Sequence, residues 1–190
     1  MLSIRDDLAG TDFLNWSYRI PIEAWDGITV DGSPRRVTKL VWGFKKLDGI
    51  VPQGLARLDA LEQIVLNDNR LTGTIPPELG KLANLENLVL AVNLLKGPLP
   101  QELSQLAKLE NFDVGQNFLT GPIPPQYGNL LRLRSFIVGA NSLTGEVPRT
   151  LERLPLLHRF VIDRNMLSGC VPAALNVEVS RIGNLRYCDN

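Results

Sequence analysis

The stretch that decides the fold is LTGTIPPELGKLANLENLVLAVN, residues 71–93. Its leucines occur too often for a loop and too irregularly for one helix, and a glycine and two prolines interrupt it. The stretch returns along the chain, because four columns of identical residues recur at steps of 24 positions. These columns are Asn69, Asn93, Asn117, Asn141 and Asn165; Gly73, Gly97, Gly121, Gly145 and Gly169; Pro76, Pro100, Pro124, Pro148 and Pro172; and Leu58, Leu82, Leu106, Leu130 and Leu154. A fixed period of this length predicts a solenoid of stacked coils.

The segment LENLVLAVN, residues 85–93, predicts the strand that each coil contributes. Leu88 and Leu90 alternate with Val89, as a short strand with one buried face requires. Neighbouring coils then place their strands side by side, about 4.8 Å apart, in a parallel sheet. We therefore expect Leu85, Leu88 and Leu90 to point into the coil.

The chain-breaking residues predict the corners of the coil. An asparagine side chain can satisfy backbone groups in a turn, so the asparagine column predicts an internal hydrogen-bonded ladder. Glycine permits backbone conformations that other residues resist, and proline suits a non-helical return path. The segment PPELGKL, residues 76–82, then predicts a short helical or 3₁₀ turn that leads to the next strand.

The composition suits a folded chain that binds neither nucleic acid nor a membrane. The 190 residues are 44% hydrophobic, and 20 basic residues balance 20 acidic ones. A net charge of zero argues against nucleic acid or an anionic membrane as the main partner, and no apolar run is long enough to span a bilayer. We also expect a monomer. The opening MLSIRDDLAG has no apolar core of signal-peptide length, so the protein is either cytosolic or shown without its leader.

The segment LEQIVLNDNRLTGTIPPELGKL, residues 61–82, resembles the plant-type leucine-rich repeat, and the resemblance extends over residues 37–175. It implies an α/β fold: a right-handed, horseshoe-shaped solenoid with a parallel sheet of short strands on its concave side. It also implies 3₁₀ or helical turns on the return path and a second, irregular strand near the Gly-x-Ile-Pro stretch. We assign residues 1–36 to an N-terminal cap, 37–169 to about six repeats of which the first is degenerate, and 170–190 to a C-terminal cap.

The N-terminal cap departs from the family pattern. Phe13, Trp16 and Trp25 are large enough to cover the first coil. The segment AWDGITV, residues 24–30, resembles the family's cap motif, but Ala24 and Val30 stand where that motif has cysteines. We therefore expect packing alone to hold this cap. Asn15 begins a possible glycosylation triplet.

At the other end, the resemblance to secreted leucine-rich repeat proteins implies a disulfide between Cys170 and Cys188. Such a bridge closes a loop of about 19 residues and contributes roughly 3 kcal/mol in the chain-entropy model. It also implies an oxidising compartment, outside the cell or at its surface. Two unpaired thiols and a cytoplasmic location are the alternative.

The sequence gives no indication of catalysis. Its one histidine, His158, lies in the polar column of Glu62, Glu86, Glu110 and Arg134, which is typical of a solvated surface position. The cysteines and histidine lack metal-site spacing, and the glycines, 24 residues apart, form no phosphate loop. We expect neither a cofactor nor a metal nor enzymatic activity.

The outward-facing side chains of the sheet form the candidate site. One column of mostly Val and Ile, broken by Asp113, predicts an apolar stripe on the concave face, beside a track of small residues. Such a stripe rimmed by polar groups indicates a partner site, although Val and Ile also favour strands for their own sake. The candidate partner-binding residues are Val41, Gln63, Val65, Asn87, Val89, Asn111, Asp113, Ile137, Arg159, Val161, Asp163 and Arg164.

The leading hypothesis is a non-enzymatic module that binds a protein, peptide or glycan through this face. One alternative is inhibition of an extracellular hydrolase, which related proteins perform. Another is ice binding through a partial hydroxyl column of Thr72, Thr120, Thr144 and Ser168, which Lys96 interrupts. The chain could also be one segment of a longer surface protein.

Overall fold

The chain forms a stack of coils in a computed structural model that describes residues 8–9, 21, 24–175, 177 and 179–188. Each coil contributes a short strand to one long sheet, passes a corner, and returns through a 3₁₀ turn. The solenoid expected from the 24-residue period is confirmed. No helix among the described residues has the length and apolar character needed to cross a membrane.

The sheet on the concave side, called the concave sheet below, has eight strands. They are Ile28–Asp31, Arg36–Val41, Gln63–Val65, Asn87–Val89, Asn111–Asp113, Ser135–Ile137, Arg159–Val161 and Val179–Arg181. The first strand is antiparallel to the second, and all later pairs are parallel. From Lys39 to Arg159 the paired residues are 24 positions apart, but the last pair, Val161 with Arg181, is separated by 20.

A second row of strands follows the asparagine corner. Asp48–Ile50 pairs with Arg70–Thr72 and, on its other side, with Leu8–Ala9. The four later strands, Lys96–Pro98, Phe118–Gly121, Ser142–Glu146 and Met166–Ser168, are parallel to one another. This row agrees with the second strand that the family resemblance implies.

The return path carries 3₁₀ turns rather than α-helix in the part of the chain that the structure describes. The turns are Gln53–Arg57, Pro77–Lys81, Gln101–Gln105, Pro125–Asn129 and Arg149–Arg153, each preceded by a proline in extended conformation. The turns of neighbouring coils approach closely. A β-carbon added to Gly80 would lie 2.3 Å from the backbone oxygen of Glu102, so this position requires glycine.

Leucines fill the interior of the coils. Leu85, Leu88 and Leu90 are fully buried, as the alternation in residues 85–93 predicts, whereas Val89 is half-buried. In the later coils phenylalanine replaces the strand leucine. Phe136 stacks between Phe112 and Phe160, with ring centroids 5.7 Å and 5.8 Å away.

The asparagine column joins successive coils. The side chain of Asn93 donates to the backbone oxygens of Leu90 and Leu66, and its Oδ1 accepts from the backbone N–H of Leu71 at 3.0 Å. The same pattern occurs at all five positions. Each carboxamide therefore satisfies backbone groups of two coils at once.

The residue before each of these asparagines has a left-handed backbone although none of them is glycine. Val92 has φ 57°, and the equivalent residues lie between 54° and 58°. They are Asp68, Val92, Gln116, Ala140 and Arg164, and Phe44 occupies the same position in the first coil, before Lys45. This conformation is unusual for a β-branched residue, so the coil imposes it on whatever residue is present.

The two ends close the stack differently. At the N-terminal end Trp25 is buried, Val30 packs against the core, and the fully buried Trp42 donates from Nε1 to the backbone oxygen of Asp26 at 3.0 Å. Phe13, Trp16 and the triplet at Asn15 lie outside the described residues. At the C-terminal end Cys170 and Cys188 form the expected disulfide, and Cys170–Val171 pairs with Arg186–Tyr187.

Candidate functional site

The predicted residues of the concave sheet lie in two rows of its strand register. One row reads Lys39, Gln63, Asn87, Asn111, Ser135, Arg159 and Val179, and the other reads Val41, Val65, Val89, Asp113, Ile137, Val161 and Arg181. The middle members of both rows, from Gln63 to Ile137, are half-buried, as expected on a curved sheet whose neighbours crowd each other. Lys39, Val41, Arg159 and Arg181, near the ends of the rows, are exposed.

Val161 differs from the expectation of an exposed stripe. Only 8% of its surface is accessible, because the strand Val179–Arg181 lies beside it and extends the sheet by one more coil. The stripe therefore ends in a charged residue, Arg181, rather than in Val161.

A hollow of about 260 Å³, called the concave hollow below, occupies the C-terminal half of this face. It is lined by Ala91, Asp113, Gly115, Gln116, Ile137, Gly139, Ala140, Arg159, Val161, Asp163, Arg164 and Arg181. Six of the twelve predicted partner-binding residues meet here: Asp113, Ile137, Arg159, Val161, Asp163 and Arg164. The other six, Val41, Gln63, Val65, Asn87, Val89 and Asn111, lie on the strands that lead to the hollow from the N-terminal side.

Small residues keep the concave hollow open. A β-carbon at Gly139 would lie 2.9 Å from Oδ1 of Asp163 and 3.1 Å from Cγ1 of Val161. One at Gly115 would approach the backbone oxygen of Gly139 to 3.3 Å. The track of small residues in the sequence thus forms the floor of a recess.

Asp113 lies where the neighbouring coils have valine or isoleucine. Its Oδ1 accepts a hydrogen bond from the backbone N–H of Gly115 at 3.0 Å. Burial raises the pKa of Asp113 above its ordinary value of 3.8, while the Gly115 hydrogen bond and the positive charge of Arg159 lower it, with burial the largest effect. A partly desolvated carboxylate at this point costs stability, which is typical of a residue kept for binding.

Arg181 is the residue of the hollow that sequence reasoning missed. It lies 20 rather than 24 positions after Val161, so it falls outside the repeat columns. The available signal was the alternation around Val179 and Ser180 followed by the apolar Ile182, which reproduces a strand and its inward residue. With Arg181 included, the hollow presents three guanidinium groups and two carboxylates.

Asp113 and Arg181 lie in the same row of the sheet, three strands apart, with Ile137 and Val161 between them. At about 4.8 Å a strand, their backbones are separated by about 14 Å. This row can therefore contact a positive group, an apolar group over Ile137 and a negative group of an extended chain in that order.

No group of metal-ligating side chains occurs within the described part of the chain. His158 is exposed at the edge of the strand Arg159–Val161, as its sequence column predicts.

Comparison with known proteins places this geometry in a family. The family model described as Leucine Rich Repeat matches residues 60–82. A search of curated proteins returned no match.

Solved structures match over most of the chain. The BIR2 ectodomain from Arabidopsis thaliana is 26% identical, with a TM-score of 0.77 over 87% of this chain and 91% of that one. A plant ice-binding protein is 30% identical, with a TM-score of 0.83 over 91% of this chain and 57% of that one.

A third match is the ectodomain of the Arabidopsis thaliana membrane receptor kinase GASSHO1/SCHENGEN3, solved in complex with CASPARIAN STRIP INTEGRITY FACTOR 2. It is 33% identical, with a TM-score of 0.76 over 86% of this chain, and the chain spans 23% of its length. The coil spacing, the asparagine ladder and these matches agree: the chain has the leucine-rich repeat fold and is similar to the leucine-rich repeat ectodomains of plants.

Proposed function

We propose that this protein is a non-enzymatic recognition module that binds an extended peptide segment in the concave hollow and along the stripe leading to it. The observation that carries the proposal is the convergence of Asp113, Arg159 and Arg181 around a recess that small residues line. Charged groups on the rim of such a recess fix the register and orientation of a ligand more than they add affinity.

The arrangement favours a peptide of defined polarity. A basic group of the peptide pairs with Asp113, apolar side chains contact Ile137, and an acidic group pairs with Arg159 and Arg181. The N-terminal continuation of the peptide lies against Val89 and Val65, which extend the same row. A ligand with uniform charge would meet repulsion at one end of the hollow.

The stiffness of the stack supports binding. The sheet residues are held by backbone hydrogen bonds between coils and by the asparagine ladder, so the surface exists before the ligand arrives. A pre-formed surface avoids the cost of ordering the protein on association.

We also propose that the protein acts outside the cell or at its surface. The Cys170–Cys188 disulfide persists in an oxidising compartment. Three of the similar structures are ectodomains, two of them from receptor kinases, which supports the same location for this chain.

Selection of peptides from a displayed random library on the immobilised protein tests the proposed binding. Peptides recovered with wild-type protein are then measured against Val89→Glu and Asp113→Lys. Each change is expected to weaken binding at least about tenfold, or about 1.4 kcal/mol, because each places a wrong charge in the path of the ligand.

Leu131→Glu provides the matched control for Val89→Glu, since Leu131 is 56% exposed and lies after the 3₁₀ turn on the return path. It should leave peptide binding unchanged. Equal peptide affinities of wild type, Val89→Glu and Asp113→Lys would show that the concave hollow is not the binding site.

Ice binding is a second candidate, because the similar plant ice-binding protein matches nearly the whole chain and because Thr72, Thr120, Thr144 and Ser168 are exposed along the second row of strands. Lys96 is also exposed and interrupts that column. Thermal hysteresis that disappears in Thr120→Lys would support this function, whereas wild-type protein without hysteresis would eliminate it.

A further inference from the structure

The asparagine ladder ends abruptly at the C-terminal end of the stack. Its last member, Asn165, accepts from the backbone N–H of Leu143 at 2.9 Å and donates to the backbone oxygens of Ile162 and Val138, both at 3.0 Å. In every earlier coil two backbone groups also bond to the asparagine of the coil that follows. One is the oxygen of the residue three positions before the coil's own asparagine, and the other is the N–H of the residue two positions after it.

The segment after Ile182 is one residue too short to continue this pattern. Asp163 and Arg164 separate Ile162 from Asn165, whereas only Gly183 separates Ile182 from Asn184. The left-handed turn accordingly comes at Gly183, with φ 63°. The side chain of Asn184 is exposed and hydrogen-bonds to none of the described residues.

A second hollow of about 280 Å³, called the ladder-end hollow below, lies at this point. Its lining includes Ile162, Leu167, Ile182 and Leu185, which are apolar, and its rim includes Asp163, Arg164 and Asn184. It therefore combines an apolar base with a rim whose two opposite charges balance.

Two backbone groups in this lining lack the partner that their equivalents have. Leu167 follows Leu143 by one repeat, and the N–H of Leu143 donates to Asn165, but no ladder asparagine follows among the described residues to accept from the N–H of Leu167. The oxygen of Ile162 accepts from Asn165 alone, whereas that of Val138 accepts from both Asn141 and Asn165.

We propose that the ladder-end hollow binds a primary carboxamide, supplied by the asparagine side chain of a protein partner. Such a group offers one acceptor for the N–H of Leu167 and a donor for the oxygen of Ile162, which is the combination that the ladder asparagines provide in each earlier coil. A carboxylate has acceptors only and cannot donate to the oxygen of Ile162, whereas an ammonium group has donors only and cannot accept from the N–H of Leu167.

The ladder-end hollow lies beside the concave hollow, since Asp163 and Arg164 line both. A peptide seated in the concave hollow thus has the carboxamide site next to its end over Arg164. This coupling rests on the proposed function, but the carboxamide site itself does not.

Amide hydrogen exchange measured by NMR tests the site without any peptide ligand. The probes are the N-acetyl, N-methylamide derivatives of asparagine, aspartate and leucine, whose identical blocking groups cancel in the comparison. At tenfold excess over its Kd, the asparagine derivative should slow exchange of the Leu167 N–H about tenfold. The aspartate and leucine derivatives should have no such effect, and the Leu143 N–H should respond to none of the three.

Insertion of one glycine between Gly183 and Asn184 restores the spacing of the repeats and provides the matched variant. It should slow exchange of Leu167 in the free protein and abolish the response to the asparagine derivative, while unchanged protection of Leu143 shows that the stack is intact. If Leu167 is already as protected as Leu143 in the wild-type protein, or if the aspartate derivative protects it equally well, the proposal is wrong. If the asparagine derivative does not protect Leu167 but peptides still bind in the concave hollow, the carboxamide site is wrong and the proposed function is unaffected.

Discussion

The middle coils and the C-terminal closure of this protein are stabilised by different means. Between residues 63 and 165 every coil repeats the same buried column, ladder asparagine and backbone pairing, so each part is supported on both sides. After residue 170 the spacing falls to 20, the ladder lacks a member, and a disulfide fastens the end. The periodic contacts hold the middle coils together without a covalent cross-link. At the C-terminal end, where the periodic contacts stop, a disulfide takes their place.

The largest expected effect of a single change lies in the middle coils. Phe136→Ala should lower the free energy of unfolding by about 4 kcal/mol, because it removes a fully buried ring from the Phe112–Phe136–Phe160 stack and leaves a cavity. Chemical denaturation measures this loss. Leu131→Ala, at an exposed position, should change stability by less than about 0.5 kcal/mol, and similar values for the two variants would contradict the packing described.

Replacement of both cysteines, Cys170→Ala with Cys188→Ala, should lower the stability of the C-terminal closure, residues 170–188, by about 3 kcal/mol. Because coils interact mainly with their neighbours, hydrogen exchange should accelerate in residues 170–188 while the middle coils remain protected. A uniform loss of protection along the whole chain would show that the closure and the middle coils unfold as one unit.

The asparagine ladder allows the same substitution to be made in both regions. Asn117→Ala deprives the backbone N–H of Leu95 and the oxygens of Leu90 and Val114 of a partner in the interior, at a cost of about 2 kcal/mol. Asn165→Ala should cost about half as much, since Asn165 is only half-buried and water can replace it at the open end of the ladder. Equal losses in denaturation would indicate that the last rung is as enclosed as the middle one.

The smallest effect concerns Asp113 and its pH dependence. Because burial raises its folded-state pKa above 3.8, ionisation of Asp113 opposes folding, and that cost appears as the pH rises through 3.8 and the folded-state pKa. Asp113→Asn should therefore be slightly more stable than wild type at pH 7, and the two proteins should converge below pH 3.8. A variant that is less stable at neutral pH would show that the Gly115 hydrogen bond and Arg159 outweigh the burial.

The regular part of this molecule could be predicted from the sequence because its physics repeats. A column of leucines or asparagines at a step of 24 specifies inward positions, strand register and ladder at once, as at Leu88 and Asn93. The same register predicted which side chains face outward on the concave sheet, and it placed Asp113, Ile137 and Arg159 near one another.

The irregular end could not be predicted in this way. The strand Val179–Arg181 joins the concave sheet with a shorter step, which buries Val161 and brings Arg181 into the hollow. Nothing periodic marks a strand that occurs once, and its pairing is decided by how the cap packs on the last coil. Trp42 was also missed, because in the degenerate first coil it takes the inward position that Leu66 and Leu90 occupy in the next two coils.

The left-handed residue before each ladder asparagine has an evolutionary consequence. Aspartate, valine, glutamine, alanine and arginine all adopt nearly the same φ there, so the repeats share this backbone conformation without sharing the side chain. Each such site carries about 1–3 kcal/mol of backbone strain that the rest of the coil outweighs. Substitutions at these positions can therefore change the side chains along the edge of the solenoid, one residue at a time, while the backbone keeps its path.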